Sequence, residues 1–105
     1  MSPFRIGLHP RAAADIDQVA RWWSKNRPAA PGLFLDELDR AFMTIAERPE
    51  IGRKVALKAY PNARTYVLPR SGHLIIYNVD ADSGTVAVAR VRHGKRRPLA
   101  RPHSR

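Results

Sequence analysis

The chain contains no cysteine. That removes disulfide frameworks, thiolate zinc sites and thiol nucleophiles together, and it fits a reducing compartment. No apolar run approaches the ~20 residues a membrane span needs. The opening MSPFRIGLHP lacks the apolar centre of a secretory signal. A cytoplasmic protein with no membrane partner is the expectation, and nothing in the residues asks for a metal or a cofactor. Acidic residues are scarce in one half of the chain. Residues 51–105 hold only Asp80 and Asp82 against twelve Lys and Arg, whereas residues 1–50 hold seven of each sign. The net charge of +10 therefore belongs to the second half, which points to a polyanionic or acidic partner. A solvated basic surface is the plain alternative.

A length of 105 residues fits one domain, able to bury roughly two-thirds of its unfolded surface. Residues 4–9, FRIGLH, read as a short strand that Pro10 ends. From Ala12 the period changes: Ala12, Ile16, Val19, Ala20 and Trp23 recur at helical spacing, with Asp15, Asp17, Gln18, Arg21 and Lys25 elsewhere on the turn. KNRPAAPG breaks this helix. Pro28 suits the first position of a second helix, where a missing N–H costs nothing. That helix, over roughly 29–47, carries Phe34, Leu35, Leu38, Ala41, Phe42, Ile45 and Ala46 on a wide apolar stripe, and Pro49 stops it.

After Gly52 comes a basic loop without period, RKVALKAYPNA. Three strand-like runs follow, RTYVLP (64–69), HLIIYNV (73–79) and TVAVARVRH (85–93), joined by the turn sequences RSG and DADSG. The order predicts an α+β, two-layer fold: an N-terminal strand, an antiparallel helical hairpin, then a three-stranded antiparallel meander. The hairpin is expected to cover one sheet face and leave the other partly open. Residues 1–93 form the compact domain in this reading. Residues 94–105 form a basic tail with no apolar period, mobile unless bound.

At this level the sequence resembles the ParE/RelE superfamily of toxins from type II toxin–antitoxin modules, over about residues 4–97. The matching stretches are AAADIDQVARWW, NRPAAPGLFLDELDRAFMTIAERPEIGRKV, RTYVL, HLIIYNV and ARVRHGKRRP, and their order and spacing carry the likeness. The resemblance implies a small toxin held by a cognate antitoxin, ParD-like in the favoured branch, whose extended C-terminal segment wraps it into a hetero-oligomer. An acidic antitoxin segment would meet a basic face and fold on binding, with Arg64, Arg70 and Arg90 as its contacts.

ParE-like members poison DNA gyrase, and RelE-like members cut messenger RNA on the ribosome. RVRHGKRRP looks like the V-x-H-G-x-R close of ParE-like chains. It implies a non-enzymatic gyrase inhibitor whose target-binding residues are Arg92, His93, Lys95, Arg96 and Arg97. In the alternative, metal-free endonuclease reading, the catalytic set is His93, Arg64, Lys54 and Arg90, since cleavage needs proton transfer beside concentrated positive charge. Tyr60, Tyr66 and Tyr77 are weaker proton donors. A third reading is a nucleic-acid-binding module whose basic tail grips phosphate. Each residue also has a plain reading. His93 can end a strand as a hydrogen-bonding residue. Arg64 can pair with Asp15 or Asp39. Tyr77 suits the core with its hydroxyl at an edge, Trp22 and Trp23 suit packing, and an exposed Trp22 could instead stack a base.

Overall fold

Leu8 ends the first strand and His9 turns the chain into a helix. In the computed structural model, which describes residues 3–94, β1 (Arg5–Leu8) is followed directly by α1 (Pro10–Asn26). Pro10 does more than end a strand. It occupies the first helical turn, where its fixed φ is already helical, and His9 Nδ1 accepts the Arg11 N–H at 3.0 Å as the cap. The second helix, α2 (Leu33–Glu47), begins later than expected. Pro28 lies instead in a tight turn closed by Ala30 N–H to Arg27 O at 3.0 Å, and Gly32 precedes the helix.

A 3₁₀ turn, Pro49–Ile51, leads to a two-residue strand β2 (Arg53–Lys54), then β3 (Arg64–Leu68), β4 (His73–Asp80) and β5 (Thr85–His93). The meander is therefore the centre of a larger, mixed sheet of order β1-β5-β4-β3-β2. β1 pairs parallel with β5, and the remaining pairs are antiparallel. The β3–β4 turn places Gly72 at φ 80° and the β4–β5 turn places Gly84 at φ 69°, left-handed values that favour glycine.

One face of each helix enters a single core. Ala12 and Trp23 of α1 and Phe34, Leu38, Ala41 and Ile45 of α2 pack on Leu68, Ile75, Tyr77, Val86, Val88 and Val91 of the sheet. The α2 residues follow i, i+4, i+7, i+11, the period of one helix face. Leu35 falls outside that face and is 46% exposed, contrary to the wider stripe expected.

The second sheet face is also partly covered. Val55, Leu57 and Tyr60, from the segment without period, pack with Leu74 on buried Ala63, Ile76 and Ala89. This explains why HLIIYNV is a near-continuous apolar run: Ile75, Ile76 and Tyr77 are all buried because β4 has a cover on both faces.

Two side chains fasten the segment after α2 to the sheet. The Tyr77 hydroxyl, fully buried rather than at an edge, donates to Pro49 O at 2.8 Å and accepts from Gly52 N–H at 2.8 Å. Arg64 Nη1 donates to Glu50 O at 3.0 Å and Gly52 O at 2.8 Å. Arg64 thus has a structural task, but its acceptors are backbone carbonyls and not Asp15 or Asp39. Burial pushes the Tyr77 phenol above its ordinary value, against the opposing pull of the Gly52 N–H and the Arg64 charge.

A candidate groove between α1 and the open edge of β5

β1 is four residues long, and its pairing with β5 ends at Leu8 opposite Val88. Beyond that point the outer edge of β5, through His93, has no neighbouring strand among the described residues. A groove of about 470 Å³ lies there. One wall is α1 from Asp15 through Gln18, Val19, Trp22 and Trp23, extended by Arg27. The other is Arg90 through His93, with Ser71 contributed from the β3–β4 turn and His73 from the start of β4.

Asp15 governs the inner part of this groove. Its carboxylate takes Arg90 Nε at 2.7 Å and Nη2 at 3.1 Å, a two-pronged arrangement, and also the Val91 N–H at 3.0 Å. Antiparallel strands alternate inward and outward backbone groups, and Gly94 N–H donates to Gly72 O, towards β4. Val91 and His93 therefore direct their backbone groups to the open edge, and Asp15 satisfies the first of these donors. Both side chains of the pair are 15–16% exposed. Burial pushes the Asp15 carboxyl up, but the hydrogen bonds from Arg90 and Val91 and the charges of Arg90 and Arg92 outweigh it, so the group titrates below its ordinary value of 3.8. The same carboxylate raises Arg90, against desolvation.

At the outer end the groove is aromatic. Trp22 and Trp23 meet edge to face with ring centres 6.0 Å apart, and the Arg27 guanidinium sits 5.1 Å from the first ring centre and 5.8 Å from the second. His93 and the buried His73 meet edge to face at 5.0 Å, and Phe34 lies 5.2 Å from His73. A β-bulge makes this contact. Asp80 pairs with Thr85 and the count runs unbroken to Tyr77 opposite Val88, after which Ile76 faces Arg90. Ala89 is the extra residue. In an unbulged ladder of the same sequence His93 would stand opposite Gly72; the bulge sets it opposite His73.

The residues expected to act together are divided. Arg90, Arg92 and His93 share the groove. Arg64 and Lys54 sit opposite one another in the β2–β3 pair, and Arg64 faces Tyr77, four residues along β4 from His73. At about 3.3 Å per residue that is roughly 13 Å along the strand before the separation between strands is added. The alternative catalytic set is therefore two groups at two ends of the sheet. Among the residues expected to meet an antitoxin, Arg64 is at this far end and Arg90 is clasped by Asp15. Arg70 lies by a second, smaller pocket with Asp36, Glu37 and Arg40. The Glu37 carboxylate there accepts the Arg70 and Ser71 N–H groups at 2.7 and 2.9 Å, capping the β3–β4 turn from α2. Lys95, Arg96 and Arg97 lie outside the described residues, as does the rest of the expected tail beyond Gly94.

Sequence reasoning missed Asp15 as the partner of Arg90 and missed the groove positions of Trp23, Arg27, Ser71 and His73; for Trp22 it offered base stacking beside packing, and the residue is exposed at the groove. A partial signal exists: Trp23 and Arg27 are four residues apart, the spacing of neighbours on a helix. Among the described residues no group of three His, Cys, Asp or Glu is placed to hold a metal ion, and no helix is long and apolar enough to cross a membrane.

A family profile described as ParE toxin of type II toxin-antitoxin system, parDE, matches residues 6–98. No curated protein sequence matches. Solved structures do. A chain of the chromosomal ParDE toxin–antitoxin system from P. aeruginosa superposes with a TM-score of 0.69 at 15% identity, covering 86% of this chain and 95% of its own. A chain of the RelBE2 toxin–antitoxin complex from Mycobacterium tuberculosis gives 0.59 at 19%, covering 89% and 93%. One from the intact E. coli RelBE complex gives 0.58 at 20%, covering 89% and 99%. At these identities the structural likeness shows the fold.

Proposed function

Because the chain belongs to the ParE toxin family of type II toxin–antitoxin systems, we propose that it is a ParE-like inhibitor of DNA gyrase, held inactive by a cognate ParD-like antitoxin. The observation that carries this reading is the reach of the family match, which runs through residue 98 and so takes in the basic close RVRHGKRRP. On this reading Arg92, His93, Lys95, Arg96 and Arg97 meet gyrase or its bound DNA. Arginine suits that role through two-pronged contacts with carboxylate or phosphate. No bond in a substrate is broken by the toxin's own groups.

The division of the basic residues supports the same side. A metal-free nuclease needs proton donor, acceptor and cation around one phosphate, whereas His93 and the Arg64–Lys54 pair stand at different ends of the sheet. Antitoxin partnership is supported by the solved relatives, which come from toxin–antitoxin systems. The cationic excess of the second half gives an acidic partner segment its attraction.

The test is direct. Purified protein is expected to stop gyrase supercoiling and to trap cleaved plasmid, and the cognate antitoxin to reverse both. Removal of residues 94–105 is expected to abolish trapping. His93→Ala removes one of five contacts and should weaken trapping by about tenfold or less, the value of a single hydrogen bond, where an acid–base catalyst would lose about 10²–10⁴-fold in rate. Ribosome-dependent cleavage of transcripts with gyrase unaffected would replace this reading with the RelE-like one.

A further inference from the structure

We propose that the α1–β5 groove is a binding site for a nucleoside phosphate, its phosphate held by Trp23, Ser71 and Arg92 and its base laid against Trp22. Two orphaned atoms lead to this assignment. Among the described residues Trp23 Nε1 and Ser71 Oγ are buried without a hydrogen-bond partner, and both residues line the groove. Native proteins leave few such groups unpaired. Two residues lining one cleft and each carrying such an atom call for an acceptor that the described residues do not supply. The surroundings say the acceptor is anionic. Arg27 and Arg92 flank the cleft, and the one carboxylate in it, Asp15, is already matched by Arg90.

Charge favours phosphate over carboxylate, since a phosphate monoester carries close to two negative charges at neutral pH and so answers both Arg27 and Arg92. An indole N–H, a hydroxyl and a guanidinium can each take a different terminal oxygen of it. The space, about 470 Å³, exceeds what an inorganic ion needs and lies in the usual range for small-molecule sites. Trp22, 46% exposed, supplies a flat wall of the kind on which any base can stack. The orphaned atoms are shielded from water, so entry requires a side chain to swing aside. Arg27 is exposed and stacked over both indoles, so the movement is assigned to its side chain.

Trp22 and Trp23 are the two tryptophans of the chain, so two indole N–H signals report on the site. In ¹H–¹⁵N spectra of the intact protein, AMP is expected to move the Trp23 indole signal downfield and to saturate. Trp23→Phe keeps a ring but removes the donor, and should weaken AMP at least about tenfold, the value of a hydrogen bond to a charged group. Arg92→Gln should do the same, and it serves if the tryptophan variant fails to fold. The trinucleotide ApApA binding more tightly than AMP would identify a nucleic-acid strand as the source, and equal binding a free nucleotide. Inorganic phosphate binding as tightly as AMP would overturn the nucleoside assignment. An Asp–Glu peptide that moves the signal where AMP does not, or no saturable change with any probe at millimolar concentration, would overturn the site. These readings need neither gyrase nor ribosome, so their failure is separable from failure of the proposed target.

Discussion

Replacing Asp15 with alanine should be among the most costly single changes outside the main core. The carboxylate holds two guanidinium nitrogens of Arg90 and the Val91 N–H at 2.7–3.1 Å, and its removal leaves a charge that is 16% exposed without its partner. Breaking a fully buried pair in this way costs about 3–5 kcal/mol. The residual exposure lets water reach Arg90, so about 2–4 kcal/mol is the expectation here, with the lost Val91 bond included at about 1.5–3 kcal/mol as an upper bound on its share. For a domain of this size that is a fall in Tm of roughly 10–20 °C. Urea unfolding followed by circular dichroism measures it. Asp15→Ala combined with Arg90→Met should recover part of the loss, because the orphaned charge is gone. Acid adds an independent check. The folded carboxyl titrates below 3.8, so as pH falls the unfolded chain takes the proton first. The stabilisation is whole above the ordinary carboxylate value and is lost as pH drops through the lower folded one. Asp15→Asn should flatten that acid limb. A loss under about 0.5 kcal/mol for Asp15→Ala, the level of a neutral surface change, would refute the reasoning.

Tyr77→Phe should destabilise by about 1–3 kcal/mol in urea unfolding, since it leaves the buried Gly52 N–H and the Pro49 carbonyl without their shared hydroxyl. Gly52→Ala should be worse, because its new Cβ would run into that hydroxyl and stand 2.8 Å from two ring carbons; the double variant should cost less than the two singles added, by about 0.5–3 kcal/mol. Leu38→Ala should cost about 2–5 kcal/mol. Leu35→Gln and Met43→Gln, at exposed positions of the same helix, should each stay within about 0.5 kcal/mol by thermal melting.

What was legible in the sequence was the part set by periodicity. Ala12 to Trp23 and Phe34 to Ile45 repeat at helical spacing, and both helices follow. The start of α2 was misplaced because Pro28 and Pro31 both satisfy the preference for proline in a first turn, and that preference says nothing about which turn is first. The loop between β2 and β3 was opaque for a different reason. Val55, Leu57 and Tyr60 cover Ile76 and Ala89 as scattered side chains, with no regular element and therefore no period to read. The bulge at Ala89 leaves no glycine or proline as a mark. The meeting of His93 with His73 was therefore beyond reach, although both strands and the turn between them were placed correctly.

The groove follows from one short strand. Had β1 continued past Leu8, it would have paired with Val91 and His93, and the space beside α1 would hold backbone. Because it stops, β5 keeps an edge with no neighbouring strand among the described residues, a feature that proteins ordinarily cover or blunt. Here the cover is a side chain. Asp15 reaches across from α1 to take the Val91 N–H, and Arg90 neutralises the charge that this cover brings with it. The clasp lies at the inner end of the edge. Further out, Arg92 and His93 stand between Trp22, Trp23 and the β3–β4 turn, at the point where the described chain reaches Gly94 and the basic close RVRHGKRRP continues. The edge beyond the end of β1, the cations of the groove and the start of that basic stretch thus meet in one place. A change that lengthened β1 pairing would act on all three at once.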